Sequence, residues 1–290
     1  MTDLPRFCNT ELTVASAREI GYTDQAMDNR PIGIFDSGLG GLTALSALRT
    51  LMPEENLVYF ADTARNPYGT RTPEQLRRMA EENLAFLARF GVKAVIAACG
   101  TMSTNALDVL GESKIPVVNV LEPSVAAMAA VKSPGPLAVI ATDASIRSGG
   151  YTRALQRACP GRKVTALACQ EFVHLCETGH TAPDDPLVRE AVSRCLTPLS
   201  AAKPAALLLG CTHFGLMADA IRSCLGADVT LVSAAGCAAR ACRSLLEATG
   251  LTGGSGEEVL YTSGSLQEFE EKAEHFLHHP VKAFYGSAGE

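Results

Sequence analysis

A chain of 290 residues has room for two domains of ordinary size, and with 47% hydrophobic and 19% charged residues it holds enough apolar material for a core, which excludes a disordered chain. The net charge of −6, with no clustering of Lys and Arg, excludes a nucleic-acid footprint. A small anionic partner stays compatible with that charge, because backbone dipoles hold an anion whatever the net charge.

The first thirty residues mix acids and bases without a continuous apolar run, so they read neither as a signal peptide nor as a membrane anchor. No later stretch reaches the apolar length of a bilayer span. The expectation is a cytoplasmic protein with no membrane partner and an N-terminal extension over 1–30. A strand follows at 31–35 (PIGIF), then a helix over 41–51 and a strand at 57–60 (LVYF). The helix over 73–90 has the clearest signals. Thr72 is its N-cap, Pro73 suits the first helical position, Gln75 completes a capping box, and Gly91 ends it. Leu76, Met79, Leu84 and Leu87 form its apolar stripe.

Strands are next expected at 92–98, 115–120, 136–141 and 164–169, a helix at 183–202, strands at 205–210 and 229–233, and helices at 235–248 and 265–278. The strands are almost continuously apolar, as suits strands covered on both faces. Alternating strands and helices give an α/β fold with mainly parallel sheets. In such sheets ligands bind beyond the carboxyl ends of the strands. The residues just after each apolar run therefore come first as candidates.

Ten cysteines occur, none of them in a C-x-x-C pair, which removes the usual support for zinc-ribbon and thioredoxin readings. Cys159, Cys169, Cys195, Cys224 and Cys242 read as small buried hydrophobes. Cys99 and Cys211 differ. Each follows an apolar strand, precedes a small or hydroxyl residue, and stands where a helix is expected to begin. They lie about one domain length apart. That spacing suggests two similar α/β domains facing each other across a central cleft, each offering one thiol.

A thiol at a helix N-terminus meets unpaired N–H groups and the positive end of the helix dipole, which favour thiolate. Two such groups across a substrate suit inversion of a stereocentre next to a carboxylate: one removes the α-proton and the other supplies a proton to the opposite face. Asp36 ends the first strand and is a candidate partner for an ammonium group, for the adjacent thiol, or for the N-terminus of the helix after Gly41. Ser37, Thr101 and Thr212 offer hydroxyls and backbone N–H groups for a carboxylate, or caps. His213, two residues after Cys211, is placed to assist proton transfer there. The DSGLGG turn is not G-x-G-x-x-G, so a dinucleotide is not implied. Cys99, Cys211 and His213 are ligand types that suit zinc, but this spacing is thin support for a metal site.

The blocks FDSGLGG, YFADTARNPYG, ACGT and LGCTHF, with the tail YTSGSLQEFEEKAEHFL, together resemble the glutamate racemases of the aspartate/glutamate racemase superfamily. The resemblance runs from about Pro31 to the C-terminus. It implies two cysteines, matched here by Cys99 and Cys211, acting as opposed acid and base without a cofactor or metal. It adds Asp36, His213 and Glu177 to the catalytic set, Glu177 as the acid near the histidine. Substrate contacts map to Asp36 and Ser37, Tyr68 and Gly69, Gly100 and Thr101, and Thr212 and His213. The implied architecture has one domain from 31–121 plus 233–290 and a second from 122–232. The implied role is supply of D-glutamate for the bacterial cell wall by a homodimer. Two positions depart from the pattern: Gly100 stands where Asn is usual, and Gly215 where Pro is frequent. Loss of the Asn side chain opens a further reading, a racemase of another acidic amino acid such as aspartate; a third, from another class, is a non-catalytic ligand-binding member of the fold.

Overall fold

The structure is a computed structural model in which residues 28–289 are described; residues 1–27 of the expected extension lie outside them. Ten strands form two sheets. The first contains β1 (Ile32–Asp36), β2 (Leu57–Ala61), β3 (Ala94–Ala97), β4 (Val117–Asn119), β9 (Glu258–Thr262) and β10 (Ala283–Tyr285), in the order β10-β9-β2-β1-β3-β4. The second contains β5 (Leu137–Ala141), β6 (Val164–Ala168), β7 (Ala206–Leu209) and β8 (Thr230–Ser233), in the order β6-β5-β7-β8. Every ladder is parallel.

The two sheets share a plan. Strands β2-β1-β3-β4 and β6-β5-β7-β8 follow the same order, second, first, third, fourth. In each, the direction of winding reverses between the first and third strands. The carboxyl ends of those strands flank the crevice where α/β sheets bind ligands. Cys99 follows the third strand of the first sheet and Cys211 the third strand of the second.

The eight expected strands all form, some of them shorter than the apolar runs that announced them. The helix Pro73–Ala88 begins with the expected capping box, Thr72 Oγ1 accepting from the Gln75 N–H and Gln75 Oε1 from the Thr72 N–H. It covers one face of the first sheet, where Phe35, Val58, Phe60 and Val95 pack beneath Leu76, Met79 and Leu87. The other face belongs to a core that continues into the second sheet through the helices Leu121–Ala129 and Ala234–Thr249. Among the described residues, no helix is long and apolar enough to cross a membrane.

At the end of the first sheet away from the crevice, Lys93 is fully buried. Its ammonium pairs with Glu55 at 2.5 Å and donates to the carbonyls of Asp28 and Gly253 at 2.7 and 2.8 Å. Glu55 in turn accepts from the Gly253 N–H at 2.9 Å. This buried pair ties 28–30 and the loop around Gly253 to the sheet. Among the cysteines expected in the core, Cys159, Cys169 and Cys242 are buried, but Cys195 is half-buried and Cys224 is exposed. Cys224 lies in the last turn of the helix Ala218–Leu225, where the chain leaves the core.

Candidate active site

Strand β1 delivers Asp36 to the crevice. Its carboxylate accepts from the Ser37 N–H at 2.9 Å and the Gly41 N–H at 3.0 Å, so it fastens the turn that opens the helix Leu42–Leu51. Burial raises its pKa, against the lowering effect of the His213 charge and those two backbone bonds.

Cys99 is the N-cap of the short helix Gly100–Asn105, and its Sγ lies 3.9 Å from Ser37 Oγ. The expectation of a thiol biased toward thiolate is corrected here. Burial, with the Asp36 charge beside it, pushes the thiol up to about 12, and the Met102 N–H and Ser37 only partly oppose that. A six-residue helix offers too little dipole to offset the loss of water.

Cys211 follows β7, but what comes next is a 3-10 segment, Thr212–Met217, and not the expected α-helix. The tighter turn brings His213 back beside its own neighbour. His213 Nδ1 lies 3.6 Å from Cys211 Sγ, and Nε2 lies 3.1 Å from Glu177 Oε1. Glu177 arrives from the end of the helix Glu171–Glu177. Burial of His213 lowers its pKa, but the bonds to Cys211 and Glu177 and the charge of Asp36 outweigh it and raise the imidazole to about 10. Burial raises the Glu177 carboxyl, but the bond to His213 and its charge hold it below the usual range. His213 is therefore cationic at neutral pH, within reach of negative charge on Cys211 Sγ.

That arrangement sets a pH dependence. His213 has a folded pKa above its unfolded one, so its contribution to stability is full below about pH 6.5 and is lost as the pH rises through about 10. Glu177→Gln removes one cause of the raised value. The His213 titration, followed by NMR of the imidazole, is expected to move to lower pH, and the alkaline loss of stability with it. An unmoved titration would contradict the role given to Glu177.

The remaining expected residues meet the same cavity. Ser37, Tyr68, Gly69, Gly100, Thr101 and Thr212 all line it, with Asp36, Cys99, Cys211, His213 and Glu177. Its volume is about 60 Å³. Tyr68 presents less than expected. Its hydroxyl donates to Asp62 and accepts from Asn83 at 2.8 Å, so it braces the loop from behind. Gly100 leaves no space for the side chain that it lacks, because a Cβ there would stand 2.5 Å from the carbonyl oxygen of Gly210.

Thr142 and Ser145 also line the cavity and were not among the expected residues. Thr142 follows β5, the first strand of its sheet, in the place that Asp36 holds at the end of β1. Its hydroxyl accepts from the Ser145 N–H and meets Thr101 Oγ1 across the crevice at 3.3 Å. The signal was available: the residue after the apolar run 136–141 is Thr142. Arg147 adds a second bridge, donating to the Gly69 carbonyl at 3.1 Å. Among the described residues, no three His, Cys, Asp or Glu side chains converge to hold a metal ion.

The sequence model of the Asp/Glu/Hydantoin racemase family matches residues 43–242. The glutamate racemase of Exiguobacterium sibiricum is 36% identical over 259 residues, covering 88% of this chain and 95% of that protein. The glutamate racemase of Picosynechococcus sp. is 43% identical over 206 residues, covering 71% and 72%. Among solved structures, the glutamate racemase of Francisella tularensis in complex with D-glutamate superposes with a TM-score of 0.82 at 32% identity, covering 91% of this chain and 99% of that one. The Thermus thermophilus glutamate racemase gives 0.81 at 36% identity, covering 90% and 98%.

Proposed function

Since the chain belongs to the Asp/Glu/Hydantoin racemase family, we propose that it interconverts L- and D-glutamate without a cofactor, using Cys99 and Cys211 as opposed acid and base. The observation that carries this reading is the pair of thiols lining one cavity, each after the third strand of its own sheet. The naming of several relatives as glutamate racemases, one of them in complex with D-glutamate, supports the choice of substrate.

In one direction a thiolate takes the α-proton. The C–H bond breaks, an S–H bond forms, and the electron pair spreads into the substrate carboxylate. The opposite thiol then gives its proton to the other face, leaving a thiolate there. The reverse reaction exchanges the roles. The α-proton is a very weak acid, so the barrier must be lowered by donors already in place. The Ser37 hydroxyl and backbone N–H groups at Gly69, Gly100, Thr101 and Thr212 are the candidates for the two carboxylates, and Asp36 for the ammonium group. His213, held by Glu177, supports charge on Cys211.

The division into 31–121 plus 233–290 and 122–232 is part of this reading, supported by the strands that each sheet contains. A homodimer, a cytoplasmic location and supply of D-glutamate to the bacterial cell wall rest on the family resemblance. A second reading takes another acidic amino acid such as aspartate as the substrate; it rests on the absence of a side-chain amide at Gly100. Circular dichroism of purified protein with a panel of amino acids tests both. Glutamate is expected to lose its optical activity with the highest kcat/KM. A higher value for aspartate would replace the first reading with the second, and binding without turnover of any acid would overturn both.

A further inference from the structure

The helix Gly150–Ala158 carries no thiol, yet it meets both thiol-bearing junctions. Gly150 packs against the helix that follows Cys99. A Cβ at Gly150 would stand 2.9 Å from Thr104 Cβ, so only glycine allows this approach without displacement. The next residue, Tyr151, reaches the other junction. Its side chain is 1% exposed, and its hydroxyl donates to the carbonyl of Gly210, the residue before Cys211, at 3.0 Å. The ring packs on Gly210 as well, since a Cβ there would stand 3.0 Å from Tyr151 Cε2. That same carbonyl is the atom pressed against Gly100, the residue after Cys99. The Gly210 carbonyl is thus gripped between the Tyr151 hydroxyl and the Gly100 turn. Burial, with the charges of Cys211 and Cys99 nearby, holds the phenol well above its ordinary pKa, so it stays a neutral donor.

We propose that Tyr151 is a positioning residue that fixes the separation of the two thiols, by holding the Cys211 junction against the Cys99 junction. This rests on the two-thiol reading. A proton taken by one thiol leads to inversion only when the other thiol stands at the right distance on the far face. When it does not, the intermediate lasts long enough for the new S–H to exchange with solvent, and a deuteron returns to the face that the proton left. Misplacement therefore alters the fate of the intermediate as well as the rate, whereas a loss of stability alone does not.

The test uses the full chain and Tyr151→Phe, with L-glutamate in deuterated water. Two quantities are followed: D-glutamate formed, and deuterium appearing at the α-carbon of the remaining L-glutamate. In the variant, kcat is expected to fall about tenfold, the size of one lost hydrogen bond, with KM little changed. The ratio of deuterium in remaining L-glutamate to D-glutamate formed is expected to rise by a similar factor. A folded variant with an unchanged ratio overturns the assignment, whatever its melting temperature. If Tyr151→Phe does not fold, Gly150→Ala displaces the same end of the helix by pressing on Thr104, and the same rise is expected; an unchanged ratio there overturns the assignment equally. A parent protein that forms no D-glutamate would instead sink the two-thiol reading on which the assignment depends.

Discussion

Replacing Cys99 by Ala is expected to lower kcat/KM for glutamate racemisation by about 10²- to 10⁴-fold, the usual worth of one positioned acid–base group, and Cys211→Ala by a similar factor. The two losses should have opposite character. Each variant keeps one thiol, on one face of the substrate. It should still exchange the α-proton of the enantiomer whose proton faces that thiol, and not of the other. Incubating each variant with L- and D-glutamate separately in deuterated water, with mass spectrometry of the recovered amino acids, checks this. Two variants with the same enantiomer preference would mean that the thiols do not face each other across the α-carbon. The environments differ as well. Cys99 is buried beside Ser37 and Asp36, and Cys211 sits beside the His213 imidazole. The kcat values of the two directions should therefore have different pH profiles, with KM compensating, because enantiomers of equal free energy fix the ratio of the two kcat/KM values at one.

The largest expected loss of stability lies far from the thiols. Lys93→Met leaves the Glu55 carboxylate buried without its cation and the carbonyls of Asp28 and Gly253 without a donor. Breaking a buried pair from one side costs about 3–5 kcal/mol. In a chain of this size that corresponds to a fall in Tm of roughly 10 °C. Lys93→Met with Glu55→Met removes both charges and should recover most of the loss, because the pair is expensive mainly when half of it remains. Thermal unfolding of the single and double variants decides the point. Equal destabilisation of the two would place the effect in packing around Lys93 instead of charge.

Much of the fold was legible because parallel strands covered on both faces read as continuous apolar runs, as at IGIF (32–35) and AVIA (94–97). Strands β9 and β10 escaped for the converse reason. Glu258–Thr262 is mostly half-buried and mixes charged and polar residues into its run, and Ala283–Tyr285 is a three-residue edge strand with two exposed aromatics. The helices Gly100–Asn105, Leu107–Gly111 and Asp143–Ser148 are too short to set up a 3.6-residue period. The cavity itself was legible, since all of the residues expected in it line it. For Asp36, Ser37 and the residues around Cys99 and Cys211 the reason is topological, because ends of first and third strands meet at the crevice and can be found by counting apolar runs; Tyr68, Gly69 and Glu177 were expected only from the family resemblance.

Long-range contacts were not legible. His213 was expected to act at Cys211, but nothing local in GCTHF marks the 3-10 segment that sets their geometry. Nothing near Tyr68 says that its hydroxyl is taken by Asp62 and Asn83. The fit of Gly100 against Gly210 joins positions from two different sheets, and only the packed structure brings them together. The sequence pattern marked Gly100 as a missing side chain. In the structure it is a point of close approach, and the space that a side chain would need is filled by the strand that carries the other thiol.

Opposed thiols make one demand that no single-base route shares. When L-glutamate is incubated with the parent protein in deuterated water and sampled early, the D-glutamate formed should carry deuterium at the α-carbon while the remaining L-glutamate stays almost wholly protiated. D-glutamate that retains the original proton, or deuterium appearing equally in both enantiomers from the first turnovers, would contradict a proton taken by one of Cys99 and Cys211 and replaced by the other.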